Sequence, residues 1–258
     1  FGGEFKNTGK SMRKSLFALL LIIVTVCLLG GCEKRRDDFY QKAVEYYNKG
    51  MITEAGLEIK NALSIDSECA PCRLLSGKIA LEKGNLQRAF VDFKYAADLD
   101  PALIEAKVEL SKLYLLDREY YDAGEMARKA LNLDASNIEA RLVLASVLVE
   151  SKKFGEAQEM LEIALNEDPE NPDVYLSMSS VFIRQGNMEK AEGALLKGLN
   201  RLPQNTPLLM KVVAFYRKNN DSDNALKYVE KLLQSSHVQR FLPLSFIPPW
   251  ATMPRLRS

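Results

Sequence analysis

Residues 70–103 read APCRLLSGKIALEKGNLQRAFVDFKYAADLDPAL, and this stretch decides the fold. Its punctuation cuts it in two. Gly84, in Lys83-Gly84-Asn85, supplies the left-handed residue that closes a first helix. Pro101, in Leu99-Asp100-Pro101, stops a second helix and sets the link onward. Small residues, Gly77 and Ala89, stand where the two helices would have to touch.

The same text returns every 34 residues without an insertion. With position 1 at Arg36, copies begin at 36, 70, 104, 138, 172 and 206. Position 20 is always alanine: Ala55, Ala89, Ala123, Ala157, Ala191 and Ala225. Position 8 is small or β-branched (Ala43, Gly77, Ser111, Ala145, Ser179, Val213), and position 27 runs Ala62, Ala96, Ala130, Ala164, Gly198, Leu232. Gly50 and Gly186 repeat the turn glycine, and Pro169 and Pro203 repeat the stop. A larger side chain at these contact positions would push backbones apart at a cost of ~1–3 kcal/mol. A fixed period of this length means a two-helix unit that buries its apolar face only by stacking on its neighbours.

The pattern resembles the tetratricopeptide repeat. The resemblance covers residues 36–236 as six copies, 36–69, 70–103, 104–137, 138–171, 172–205 and 206–236. It implies an all-α solenoid, a right-handed superhelix of helix–turn–helix repeats whose inner wall is lined by the first helix of each. The chain departs from the family at position 4, where tryptophan is expected and Arg73, Lys107, Arg141, Tyr175 and Leu209 stand. At position 15 the turn glycine is replaced by Arg118, Lys152 and Asn220, which softens single turns and leaves the fold intact.

Positions 5, 9 and 12 share one face of the first helix. Position 5 carries Tyr40, Leu74, Val108, Leu142, Leu176 and Met210; position 12 carries Tyr47, Leu81, Leu115, Val149, Ile183 and Arg217. The expected inner wall is therefore an apolar ladder, suited to an extended peptide or a partner helix. The alternative is that these side chains pack between neighbouring first helices. Position 13 edges the wall with Asn48, Glu82, Leu116, Glu150, Arg184 and Lys218, acidic in the second and fourth copies and basic in the last two.

The N-terminus carries a processing signal. Met12-Arg13-Lys14 is a short positive start, and an apolar run from Leu16 to Leu29 ends in Leu29-Gly30-Gly31-Cys32. The run is too short to span a bilayer as a helix and fits a secretory signal, with residues 1–31 removed. The ending resembles a bacterial lipobox, which implies lipidation of Cys32, with residues 32–35 as a short linker and Glu33 favouring the outer membrane. The competing readings are a plain signal peptide or an uncleaved anchor. Lys34, Arg35 and Arg36 would each add ~1 kcal/mol against anionic head groups. Gly9-Lys10-Ser11 lacks the earlier glycine of a phosphate loop and is no nucleotide site.

The full chain of 258 residues carries a formal charge of +1. Beyond residue 31 there are 31 Lys and Arg against 33 Asp and Glu, a balance of −2, with no basic run that would point to nucleic acid. Cys69-Ala70-Pro71-Cys72 is a C-x-x-C pair at the junction of the first two copies. Three readings stand: a structural disulfide, two packing residues, or a redox or metal role, which a helix N-terminus favours by lowering a thiol pKa. One such pair without a nearby histidine cannot close a tetrahedral zinc site, and His237, the single histidine, has no partner pattern. No catalytic constellation appears, and no cofactor is called for.

From Val238 the repeat text stops: no acidic residue follows Glu230, and four prolines interrupt the remainder. Residues 237–258 read as a disordered tail or as out-of-frame sequence after a truncated array. The expected protein is a non-enzymatic, lipid-anchored scaffold facing the periplasm of a Gram-negative bacterium, with a protein segment as partner. The phrases AGLEIKNAL (55–63) and LLSGKIALEKG (74–84) resemble the long repeat lipoproteins of PEP-CTERM export and exopolysaccharide systems. The alternatives are the six-repeat lipoprotein type that assembles the type IV pilus secretin, and, in another class, a thiol–disulfide protein using Cys69 and Cys72.

Overall fold

The computed structural model describes residues 33–234. Cys32, the signal segment 1–31 and the tail 237–258 lie outside the described residues. Among the described residues there are twelve helices and no strand. They are α1 (33–48), α2 (Ile52–Ile65), α3 (Ala70–Glu82), α4 (Leu86–Leu99), α5 (Ile104–Leu116) and α6 (Tyr120–Leu133). Then follow α7 (Ile138–Glu150), α8 (Phe154–Glu167), α9 (Pro172–Arg184), α10 (Met188–Arg201), α11 (Thr206–Lys218) and α12 (Ser222–Gln234). Odd-numbered helices are the first of each pair. The chain divides between Leu110 and Ser111 into two compact units.

In the N-terminal unit α2 packs on α3 and α3 on α4. Its core joins Ala43, Ala55, Ile59, Ala62, Leu75 and Ile79, all buried, with Tyr40 and Tyr47 half-buried against them. In the C-terminal unit each helix from α6 onward packs on the next, and the first helices also lie side by side, α7 on α9 and α9 on α11. The small positions explain the closeness. Ala123, Ala157 and Ala191 at position 20 are wholly buried, as are Ala130 and Ala164 at position 27. A Cβ added to Gly198 would stand 2.9 Å from Tyr175 Cβ, so α9 and α10 meet there at backbone distance. Gly77 is tighter still: an added Cβ would lie 2.4 Å from the ring of the buried Phe93.

Position 15 has one conformation whatever its side chain. Gly50, Gly84 and Gly186 have φ of 72°, 72° and 79°, and Arg118, Lys152 and Asn220 have φ of 63°, 58° and 59°. The turn therefore does not soften at the three substituted copies. The packed hairpin imposes the left-handed residue, against a local preference of about 1–2 kcal/mol for arginine or lysine.

The first four of the five links between pairs are built alike, while the fifth has Leu202 and Leu209 at the corresponding places. Asp66, Asp100, Asp134 and Asp168, at position 31, each accept a hydrogen bond from the amide two residues on, at 2.9, 2.9, 2.9 and 3.1 Å. Asn137, Asn171 and Asn205 then cap α7, α9 and α11 through their side-chain oxygens. Position 4, where the chain departs from the tetratricopeptide pattern it resembles, completes the joint. Arg73, Lys107, Arg141 and Tyr175 each donate to the backbone carbonyl six residues earlier, on Ser67, Pro101, Ala135 and Pro169. A long donor thus satisfies a link carbonyl that would otherwise face a packed helix.

The candidate binding trough and its surroundings

In the C-terminal unit α7 and α9 enclose a cleft of about 500 Å³. Ser146, Val149 and Glu150 come from α7, Leu176, Ser180 and Arg184 from α9, and Leu161 of α8 lies at the floor. A second hollow of about 600 Å³ adjoins it, formed by Leu115, Leu116, Arg118 and Tyr120 and sharing Ser146, Glu150 and Arg184. The shared residues make one trough along the first helices.

Its chemistry is more polar than the sequence leads one to expect. Ser146 and Ser180, both at position 9, donate to the carbonyls of Leu142 and Leu176 at 2.9 Å. Their hydroxyl oxygens therefore face the trough as acceptors, 34 residues apart in sequence and suited to the N–H groups of an extended chain. Glu150 and Arg184 pair across it at 2.9 Å. Both ends of this pair are solvated, so the bond is worth only ~0.2–1 kcal/mol and an incoming charge can replace it. The acid-to-base change along position 13 is thus partly cancelled within the protein. Two more cross-copy pairs, Lys78–Glu105 at 2.5 Å in one unit and Lys112–Glu139 at 3.0 Å in the other, join position 9 to position 2 of the next copy.

The apolar residues expected on the wall are distributed unevenly. Leu74, Val108 and Val149 are buried, and Tyr40, Tyr47, Leu81, Leu115, Leu142, Leu176 and Ile183 are half-buried. Met210 is 58% exposed. In the C-terminal unit, where α7, α9 and α11 lie side by side, Val149 is buried and Leu142, Leu176 and Ile183 are half-buried, while Glu150 and Arg184 at position 13 stay exposed. Burial raises the pKa of the Tyr40 and Tyr47 phenols, with the Glu82 charge adding to the effect at Tyr47, so both stay protonated donors at neutral pH. The serines at position 9 could have been found in the sequence by writing out that column beside the other two.

Cys69 and Cys72 are joined as a disulfide at the start of α3, and Cys69 sulfur accepts the Cys72 amide at 3.2 Å. Cys72 has no exposed surface and Cys69 keeps 8% of its own. Arg36 is held by Asp66 at 2.7 Å and Asp37 at 2.8 Å, and Lys34 and Arg35 are exposed. Among the described residues no cluster of three or more His, Cys, Asp or Glu is placed to hold a metal ion. Among the same residues no helix is long and apolar enough to cross a membrane.

Paired helices on a 34-residue period, joined by left-handed turns and capped links, define a tetratricopeptide-type repeat fold. Residues 148–215 match the family model described as tetratricopeptide repeat. Solved structures of this fold overlay most of the chain. PilW, a widely conserved type IV pilus biogenesis factor, is 19% identical, with a TM-score of 0.66 over 81% of this chain and 98% of its own. PilF of Pseudomonas aeruginosa is 20% identical, with a TM-score of 0.61 over 82% and 98%. A tetratricopeptide repeat protein from Parabacteroides merdae is 16% identical, with a TM-score of 0.62 over 79% and 80%. No curated protein matches the sequence.

Proposed function

We propose that this chain is a non-catalytic interaction scaffold of the bacterial envelope, held to the membrane through a lipid on Cys32. An extended partner segment lies along the trough of the C-terminal unit. The observation that carries the reading is the trough itself: outward-facing serine acceptors repeat at one column, and the Glu150–Arg184 pair beside them can open to two opposite charges. Half-buried Leu115, Leu142, Leu176 and Ile183 supply the apolar contact between the polar points. Tyr40, Tyr47, Leu74, Leu81 and Val108 take the corresponding places in the N-terminal unit, and Met210 in the last copy.

The pathway reading is exopolysaccharide and PEP-CTERM protein export, supported by the phrases at 55–63 and 74–84. Assembly of the type IV pilus secretin is the second reading, favoured by overlays that take in 98% of both PilF and PilW. A photo-crosslinking amino acid at Ser180, in cells of the source bacterium, tests both. The expected result is one dominant crosslinked partner, lost in Arg184→Glu and absent when the crosslinker stands at exposed Glu159. Secretin in the crosslink selects the pilus reading, and an export or polymer-synthesis component selects the other. Equal labelling from Ser180 and Glu159 would refute the trough as a binding site. Lipidation is checked separately, by incorporation of labelled palmitate that Cys32→Ser abolishes.

A further inference from the structure

The N-terminal unit has a second cleft, of about 640 Å³, between α2 and the α3–α4 pair. Lys60, Arg73, Lys83 and Arg88 line it, over a floor that includes Ile59 and Ile79, and no carboxylate is part of the lining. Among the described residues, the carboxylate bonded to this lining is Asp92, wholly buried and already engaged. It accepts from Arg73 at 3.1 Å, from Arg88 at 2.7 Å and from the Ser76 hydroxyl at 2.7 Å. Arg73 gives Nε to the Ser67 carbonyl and Nη1 to Asp92, with its guanidinium 5.1 Å from the centre of the Tyr95 ring, and Arg88 gives Nε to Asp92, so one buried carboxylate positions two guanidinium groups that both line the cleft. Lys60 and Lys83 are exposed and make no ion pair among the described residues.

The lysine ammonium on α3's side reaches over α2. A Cβ built on Gly56 would lie 2.9 Å from Lys83 Nζ, so the missing side chain at Gly56 is what lets Lys83 close over the cleft. Four cations with one buried counter-charge leave a local surplus of positive charge, in a chain whose part beyond residue 31 is slightly acidic. Such a surplus attracts a negative partner and speeds its encounter.

From this placement we infer that the α2–α3–α4 cleft is a docking site for an acidic peptide segment, with carboxylates on the four cations and one apolar side chain on the Ile59–Ile79 floor. The cations are spread over three helices, on both sides of an apolar strip. That spacing suits successive carboxylates along a chain better than one compact anion. The site is separate from the C-terminal trough and does not depend on it.

The test uses the full chain and a fluorescein-labelled peptide of sequence EDLED, with QNLQN as its neutral counterpart, read by fluorescence anisotropy. The acidic probe should bind at least tenfold more tightly than the neutral one and weaken as salt is added. Lys60→Glu with Lys83→Glu should lose at least tenfold, while Lys197→Glu with Lys227→Glu, the same charge change in the other unit, should lose less than twofold. Both lysines of the test pair are exposed, so folding is checked by circular dichroism. A second measurement needs no variant: bound EDLED should slow acetylation of Lys60 and Lys83 at least threefold relative to Lys197. No binding, equal loss in the control pair, absent protection, or displacement of the probe by anionic vesicles or duplex DNA at lower concentration than by unlabelled EDLED would each overturn the inference.

Discussion

Gly77→Ala is the sharpest test of how these helices are spaced. The added Cβ would sit 2.4 Å from Phe93 Cε1, 2.5 Å from Cδ1 and 3.0 Å from Cζ, against an ordinary contact of 3.4–4 Å. Phe93 has no exposed surface, so the ring cannot swing out to make room. Forcing a methyl into such a site costs about 3 kcal/mol, the upper end of the overpacking range, and about 1 kcal/mol returns because alanine is the better helix former. The net loss should be about 2 kcal/mol. Phe93→Leu alone removes buried volume and should cost about 1.5 kcal/mol. Other copies show how the two positions share space: position 8 with position 24 reads Gly77 with Phe93, Ala145 with Leu161, and Ser179 with Leu195. The double variant therefore installs a pair already used in the fourth copy. It should be no less stable than Gly77→Ala alone, a coupling of at least about 1.5 kcal/mol. The assay is urea unfolding by circular dichroism, with hydrogen exchange in α3 and α4 as a local readout, because repeat arrays need not unfold in one step. A cycle additive to within about 0.5 kcal/mol would refute the claim that Gly77 exists to admit Phe93.

Further outcomes are expected. Lys152→Gly should stabilise the C-terminal unit by about 1 kcal/mol, since relief of the left-handed residue outweighs the added freedom of the unfolded chain; a lower melting temperature would count against it. Asp92→Ala should cost about 2–3 kcal/mol by leaving Arg73 without its counter-charge, measured by urea unfolding, whereas a neutral result would mean that water replaces the carboxylate. The Arg36 guanidinium holds the Asp66 carboxyl below its ordinary value of 3.8. Because the folded pKa is the lower one, this stabilisation is whole above roughly pH 3.8 and fades as pH falls through the folded value. Asp66→Asn should therefore flatten the acid limb of a plot of melting temperature against pH, and an unchanged limb would show the pair to be idle.

The period alone carries the fold because every contact position recurs: turn, stop and small residues each occupy one column. The binding surface is harder to read, for two physical reasons. Hydropathy separates apolar from polar residues, yet Leu74, Val108 and Val149 are buried while Ser146 and Ser180 line the trough. The basic cleft follows no period, since Lys60, Arg73, Lys83 and Arg88 occupy positions 25, 4, 14 and 19 and converge only in space. Position 4 misleads in a different way. A column that looks like a loss of the family's tryptophan is a gain of link donors at Arg73, Lys107, Arg141 and Tyr175.

That donor column also bears on how such a chain grows. In the first four joints the bonds that shape the link backbone lie within a few consecutive residues, from the aspartate at position 31 to the donor at position 4 of the next copy. A crossover between two copies inside a second helix, in register, would carry every joint through whole. The array is thus a coupling system with interchangeable fittings: recombination can lengthen or shorten it by whole units, while selection edits the exposed columns of each unit on its own.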